Sequence, residues 1–324
     1  MRPGPRFRVS IAFLALACAA GLQAQTYPNR PIRLVVPFPP GGASDTVARV
    51  VVQKFSEGIG QPVVIENRPG VAGLLGSDAV AKAAPDGYTL LLGSVSSLAV
   101  APHIFSNPKI DPEKNFAAIA PISSSPLTVI ARASLPVNSI ADLIALARAK
   151  PGTLNYGAAG VGTHVFLAAE LFKKLAGIDA VHVPFQGGAP AVTALLAGNI
   201  DYKFDVVNTT LPQARAGRVK VLAVTSAKRV PLMPEVPTLA ESGFPAFDAT
   251  AWMGVVGPAG LSAGIVSRLN AGIRNAVSSR ELTEVYVAQG LVPELSSPAE
   301  FGEMIRREYA SWGAVVRQIG AKAD

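Results

Sequence analysis

The chain has 324 residues, 49% hydrophobic and 16% charged, long enough for two domains with substantial cores and too apolar for a disordered protein. Its formal net charge is +7, yet Lys and Arg form no run and are not interleaved with aromatics, so the footprint of a nucleic-acid binder is missing. The single cysteine, Cys18, lies near the N-terminus, which excludes disulfides and cysteine chemistry from the rest of the chain.

Arg2, Arg6 and Arg8 precede the apolar run from Ile11 to Ala20, and Ala24 is a small residue suited to cleavage. This is the pattern of a secretory signal peptide over 1–24, too short for a comfortable membrane span. Cys18 leaves a lipid-anchored N-terminus open, but Ala15 stands three residues earlier where lipoprotein signals usually carry Leu, so cleavage near Ala24 is preferred. Without those three arginines the net charge falls from +7 to +4, mildly basic and suited to an anionic ligand.

The run over 32–38 has the length and β-branched content of a strand, and Val47, Val50, Val51 and Phe55 then recur at helical spacing. Between them lies Pro37-Phe38-Pro39-Pro40-Gly41-Gly42-Ala43-Ser44-Asp45. The prolines forbid helix and ladder bonding, the glycines let backbone amides turn inward, and the following helix presents its unpaired N–H groups and positive dipole end. A small anion suits such a loop. A strand over 62–66, a turn at 67–70, a helix over 79–83 closed by Pro85-Asp86-Gly87 and a strand over 88–93 follow. Ser94-Val95-Ser96-Ser97 sits at the C-terminal end of that strand, in the ligand-side position. The β-α-β-α-β order signals a parallel sheet.

Ser123-Ser124-Ser125-Pro126 marks a composition shift and the expected first crossing between domains. A helix over 139–150 opens with Ser139 and Asp142 as a capping box. After a strand over 154–157, the segment Gly157 to Thr163 has the spacing G-x-x-G-x-G, the wrong order for a dinucleotide fingerprint, and places Gly162 and Thr163 at a helix start. Thr163 reads equally well as a plain N-cap. Val183-Pro184-Phe185-Gln186-Gly187-Gly188-Ala189 then repeats the first loop, again after a β-branched run and before an apolar helix. Two such loops, each at the C-terminal end of a strand, point to two similar domains facing a cleft. Strands over 200–206 and 219–225 complete the second domain, and Pro231, Pro234 and Pro237 interrupt the return crossing over 226–247. A strand over 253–256, a helix carrying Ile265, Leu269, Ile273 and Val277, and a last helix capped by Ser297 and Glu300 are expected to pack back on the first domain.

Catalytic constellations are not found. Gly260-Leu261-Ser262-Ala263-Gly264 matches G-x-S-x-G, but His103, His164 and His182 all precede Ser262, the wrong order for an α/β-hydrolase, and Ser262 reads better as a helix cap. The histidines have no metal-ligand spacing, no Walker lysine follows a Gly-rich loop, and Glu66 and Asp205 have no evident carboxylate partner. No catalytic residue, metal or cofactor is expected.

Tyr27-Pro28-Asn29-Arg30-Pro31-Ile32, the loop Val36 to Asp45, Ala81-Lys82-Ala83-Ala84-Pro85-Asp86-Gly87-Tyr88-Thr89 and Pro234-Glu235-Val236-Pro237-Thr238-Leu239-Ala240-Glu241-Ser242-Gly243 resemble the tripartite tricarboxylate transporter receptor family, the Bug-type periplasmic solute-binding proteins. The resemblance implies an α/β fold, a two-domain Venus flytrap of the type II periplasmic-binding class with parallel-rich sheets. Domain 1 would be 27–125 plus 248–324, and domain 2 would be 126–225. It further implies a periplasmic protein, not an enzyme, that captures a small carboxylate and delivers it to a membrane permease. A sensor presenting its ligand to a membrane signalling partner, and more remotely a secreted serine hydrolase, are the alternatives. Carried over residue by residue, the ligand site falls on Gly41, Gly42, Ala43, Ser44, Asp45, Ser94, Ser96, Gly162, Thr163, Phe185, Gln186, Gly187 and Asp205. Leu74, Leu98, Ala101 and Phe166 stand where the family often carries polar residues. If they border the cleft, an aromatic or branched monocarboxylate, or a dicarboxylate with an apolar body, is expected to gain from burial, and citrate-like tricarboxylates to bind worse than monoanionic acids.

Overall fold

The computed structural model describes residues 27–106 and 110–323; the expected leader, 1–24 with Cys18, lies outside them. Strand β1 (Ile32–Val36) runs parallel to β2 (Val63–Asn67) and β3 (Thr89–Ser94), with Leu34 opposite Ile65 and Leu90. Ile32, Leu34, Val35 and Val36 are all buried, as a strand covered on both faces requires. The helix Ala43–Ile59 covers one face with Val47, Val51, Phe55 and Ile59, spaced four apart so that one stripe meets the sheet.

The sheet then departs from an all-parallel arrangement. Strand β4 (Phe116–Arg132) and β9 (Thr250–Pro258) run antiparallel to each other, and β9 runs antiparallel to β3. β4 is a single strand of 17 residues that serves both lobes. Phe116 to Pro126 pairs with β9, whereas Leu127 to Arg132 pairs with β7 (Tyr202–Val206) and β8 (Val219–Val224). The crossing expected at Ser123 to Pro126 is therefore a point inside a continuous strand. In the second lobe β5 (Asn155–Ala158) pairs parallel with both β6 (Val181–Pro184) and β7. The strand order is β2-β1-β3-β9-β4-β7-β5-β6, and β10 (Val292–Pro293) adds to β4.

Thr225 ties the crossing together. Its hydroxyl accepts from the Leu127 amide at 2.9 Å and donates to the Ala249 carbonyl at 3.1 Å, so one buried side chain fastens β4, the end of β8 and the approach to β9. The return segment packs on the second lobe: Val230, Met233 and Val236 join Val207, Leu211 and Val224 in one cluster. Val207 and Leu211 belong to a helix, Val207–Arg215, that sequence periodicity passes over because Pro212 interrupts it. The helix Arg280–Gln289 is a second element absent from the sequence expectation.

The last helix, Pro298–Ile319, begins with the expected capping box of Ser297 and Glu300. It reaches both lobes instead of the first alone. Phe301 meets Trp252 of β9 at 5.8 Å between ring centroids, Trp312 packs T-shaped with His164 of the second lobe at 4.8 Å between centroids, and Lys174 donates to the Gln318 carbonyl.

Candidate functional site

The loop after β1 is held from behind. Asp45 is 3% exposed, and its carboxylate accepts from the Gly41 amide (3.0 Å), from Arg49 Nε (2.8 Å) and from Asn67 Nδ2 (3.0 Å). Burial pushes this carboxyl up, but the bonds from Arg49, the Gly41 amide and Asn67 outweigh it and hold it below the ordinary value. Asn67 also donates to the Phe38 carbonyl. Asp45 is thus a brace with its lone pairs taken. Gly41 turns at φ +76°, a conformation that favours glycine, and Gly42 begins the helix with no side-chain cap, so the first-turn amides are not claimed by one.

The repeated loop faces the first. Gly187 has φ +126°, and a Cβ placed there would stand 3.4 Å from Pro39 Cγ. The helix Gly188–Leu196 also begins without a side-chain cap. A third helix, His164–Ala176, starts at the same place: Thr163 caps it by accepting from the Phe166 amide, while the His164 amide donates to Ser96 Oγ at 2.9 Å, a bond between the lobes. Ser94 and Ser97 cap each other's amides in the turn after β3, which holds Ser96 in position.

These starts enclose a cavity of about 490 Å³, within the range of small-molecule sites. Of the residues expected to bind, Gly42, Ala43, Ser44, Ser94, Ser96, Thr163, Gln186, Gly187 and Asp205 line it. Gly41 is exposed in the first loop with its amide bonded to Asp45, Asp45 is buried behind that loop, Gly162 is packed against Phe105 and Ala72, and Phe185 lies in the cluster around Ile130, Leu195 and Ile200. Leu74, Leu98, Ala101 and Phe166 belong to the hydrophobic core and are not among the lining residues, so the ligand preference argued from them loses its premise.

Sequence reading missed Lys203, His164, Trp252 and Met253, all of which line the cavity. Lys203 Nζ lies 2.7 Å from Asp205 Oδ2, an ion pair inside the site. Its signal was present: in Tyr202-Lys203-Phe204-Asp205-Val206 the two charges alternate with apolar residues and so share one face of β7. Burial pushes the His164 imidazole down to about 3, so it is neutral, and neither its Nε2 nor the Trp252 Nε1 has a hydrogen-bond partner among the described residues.

Elsewhere, Ser262 is exposed and caps the helix Ala263–Val277, its hydroxyl accepting from the Ile265 amide. His103 bonds the Tyr309 carbonyl and His182 stacks on Tyr156. Among the described residues no group of three or more His, Cys, Asp and Glu gathers to hold a metal, and no helix is long and apolar enough to cross a membrane.

The profile of the tripartite tricarboxylate transporter family receptor matches residues 47–321. Protein BugT of Bordetella pertussis is 38% identical over 314 residues, 96% of each chain. Among solved structures, Rpa4515 of R. palustris, solved with adipate, is 34% identical with a TM-score of 0.88, covering 91% of this chain and 99% of that one. MatC (Rpa3494) from Rhodopseudomonas palustris, solved with bound malate, is 33% identical with a TM-score of 0.85, covering 90% and 100%. Sequence and superposition agree over nearly the whole chain, which belongs to the tripartite tricarboxylate transporter receptor family of periplasmic solute-binding proteins.

Proposed function

We propose that this protein captures a small carboxylate between its lobes and delivers it to the membrane permease of a tripartite tricarboxylate-type transporter. One observation carries the reading: helix starts from both lobes converge on a single cavity, with Pro39 against Gly187 and Ser96 bonded to the His164 amide across it. Backbone amides at Ala43, Ser44 and Ala189, with the hydroxyls of Ser44, Ser94 and Ser96, hold the carboxylate by fixed dipoles. The adipate and malate in two similar structures support the ligand class.

In this reading 27–125 plus 248–324 form one lobe, 126–225 the other and 226–247 the return crossing. Residues 1–24 export the protein to the periplasm and are removed. The protein binds without catalysing. Calorimetric titration and thermal-shift measurements across mono-, di- and tricarboxylates test the binding, with saturable 1:1 uptake expected. Co-purification from membranes should recover a permease subunit. Failure of every acid to bind, or ester or amide turnover abolished by Ser262→Ala, would overturn the proposal.

A further inference from the structure

Among the described residues, the ionisable side chains lining the cavity are Lys203, Asp205 and His164. Lys203 is 1% and Asp205 4% exposed, so neither charge is shared with bulk water. Asp205 sets Oδ2 at 2.7 Å from Lys203 Nζ as an ionic contact outside hydrogen-bond geometry and accepts the Val206 amide with Oδ1 at 3.0 Å. His164 is neutral. The nearby Asp45 is neutralised by Arg49 behind the first loop. Fixed side-chain charge of the described residues lining the cavity therefore sums to zero, and what they leave for an anion is the partial positive charge of the helix starts.

We propose that the Lys203–Asp205 pair sets the charge the cleft accepts, making this protein a receptor for a monocarboxylate with an apolar body and disfavouring dianions of the same length. The inference rests on the carboxylate-receptor reading above. One carboxylate is held by the helix-start amides. A second has a single side-chain cation among the lining residues, Lys203, and drawing Lys203 away strips Asp205 of its ionic partner. A carboxylate left buried without its counter-charge is strongly unfavourable. A dianion therefore enters only with a proton carried on its second carboxyl. An apolar body meets no such conflict, because Phe38, Pro39, Val95, Val206, Trp252 and Met253 line the rest of the cavity.

Matched acids test this on the intact mature protein. Hexanoate and adipate share a six-carbon chain, benzoate and terephthalate share a ring, and each pair differs by one carboxylate. In calorimetry at neutral pH the monoacid of at least one pair should bind about tenfold or more tightly than its diacid. Repeating the titration in buffers of different ionisation enthalpy should show about one proton taken up with the diacid and none with the monoacid. Asp205→Asn frees Lys203, so the diacid should gain about tenfold relative to the monoacid and lose its proton uptake. Should that variant not fold, proton uptake by the wild-type protein decides alone. Diacids that bind as tightly as their monoacids without proton uptake, or no binding by any of the four while other carboxylates bind, would overturn the charge selection and leave the receptor reading standing. Failure of all carboxylates overturns both.

Discussion

Asp45 and Thr225 show how single buried polar groups shape the site without lining it. Asp45 holds the Gly41 amide, Arg49 and Asn67 together, so Asp45→Ala removes the acceptor of the Gly41 amide and of one of the two Asn67 N–H bonds and should cost about 1–3 kcal/mol in urea unfolding. Its folded pKa lies below the ordinary 3.8, so the stability it contributes is complete above that value and is lost as pH falls through the depressed one. Asp45→Asn should flatten this acid limb of the unfolding midpoint against pH; an unchanged limb would show that other carboxylates dominate it. Thr225→Val keeps the shape but removes the bonds to the Leu127 amide and Ala249 carbonyl, for an expected loss of about 1–3 kcal/mol.

Two glycines separate packing from propensity among the elements. Gly254 on β9 lies under the last helix, and a Cβ there would meet Phe301 Cζ at 2.2 Å and the Ala120 carbonyl oxygen at 2.9 Å. A ring can shift but a strand carbonyl is fixed by its ladder, so Gly254→Ala should destabilise by about 1–3 kcal/mol. Gly302, one turn into that same helix, has only Ala118 Cβ at 3.7 Å from such an atom. Gly302→Ala should therefore raise the thermal midpoint, by about 0.5–1 kcal/mol of stability, because alanine loses less backbone entropy in a helix. Opposite signs in thermal unfolding support the packing argument, and a Gly254→Ala protein as stable as the parent contradicts it.

At the scale of the molecule, the lobes touch through Pro39 and Gly187, Ser96 and the His164 amide, and Gly162 with Phe105 and Ala72. These contacts span the cleft, and in the proposed function the chain crossings near Ser125 and Thr225 are its hinge. Ligand that binds only the closed form should stabilise the protein by about 2.7 kcal/mol at a hundredfold excess over its dissociation constant. Small-angle scattering should show contraction on saturation; an unchanged radius of gyration would count against hinge closure. Ser96→Ala removes the acceptor of the bond between lobes and should weaken ligand binding by about 1 kcal/mol, read as a roughly fivefold rise in dissociation constant.

Local pattern was enough for the strand-loop-helix starts at Gly41-Gly42 and Gly187-Gly188, the cap at Ser297 and the helical stripe of Phe301, Ile305, Trp312 and Val316, because each is decided by residues within a turn or two. Strand direction is not local. The reversal of β9 and the passage of β4 through both lobes follow from which edges the chain returns to, and no periodicity records that. Loop position likewise did not separate Ser44, on the cavity, from Asp45, one residue on and turned behind it. Leu74, Leu98, Ala101 and Phe166 looked like ligand determinants by their places in the chain, yet burial assigns them to the core. The amino-acid sequence by itself determined the two glycine loops that open helices, since glycine, proline and helix-start chemistry act within a few bonds. Only the tertiary structure decided that they face each other and what stands between them, because the Lys203 and Asp205 pair of β7, His164 and Trp252 lie on three separate elements and meet solely through the packing of two lobes.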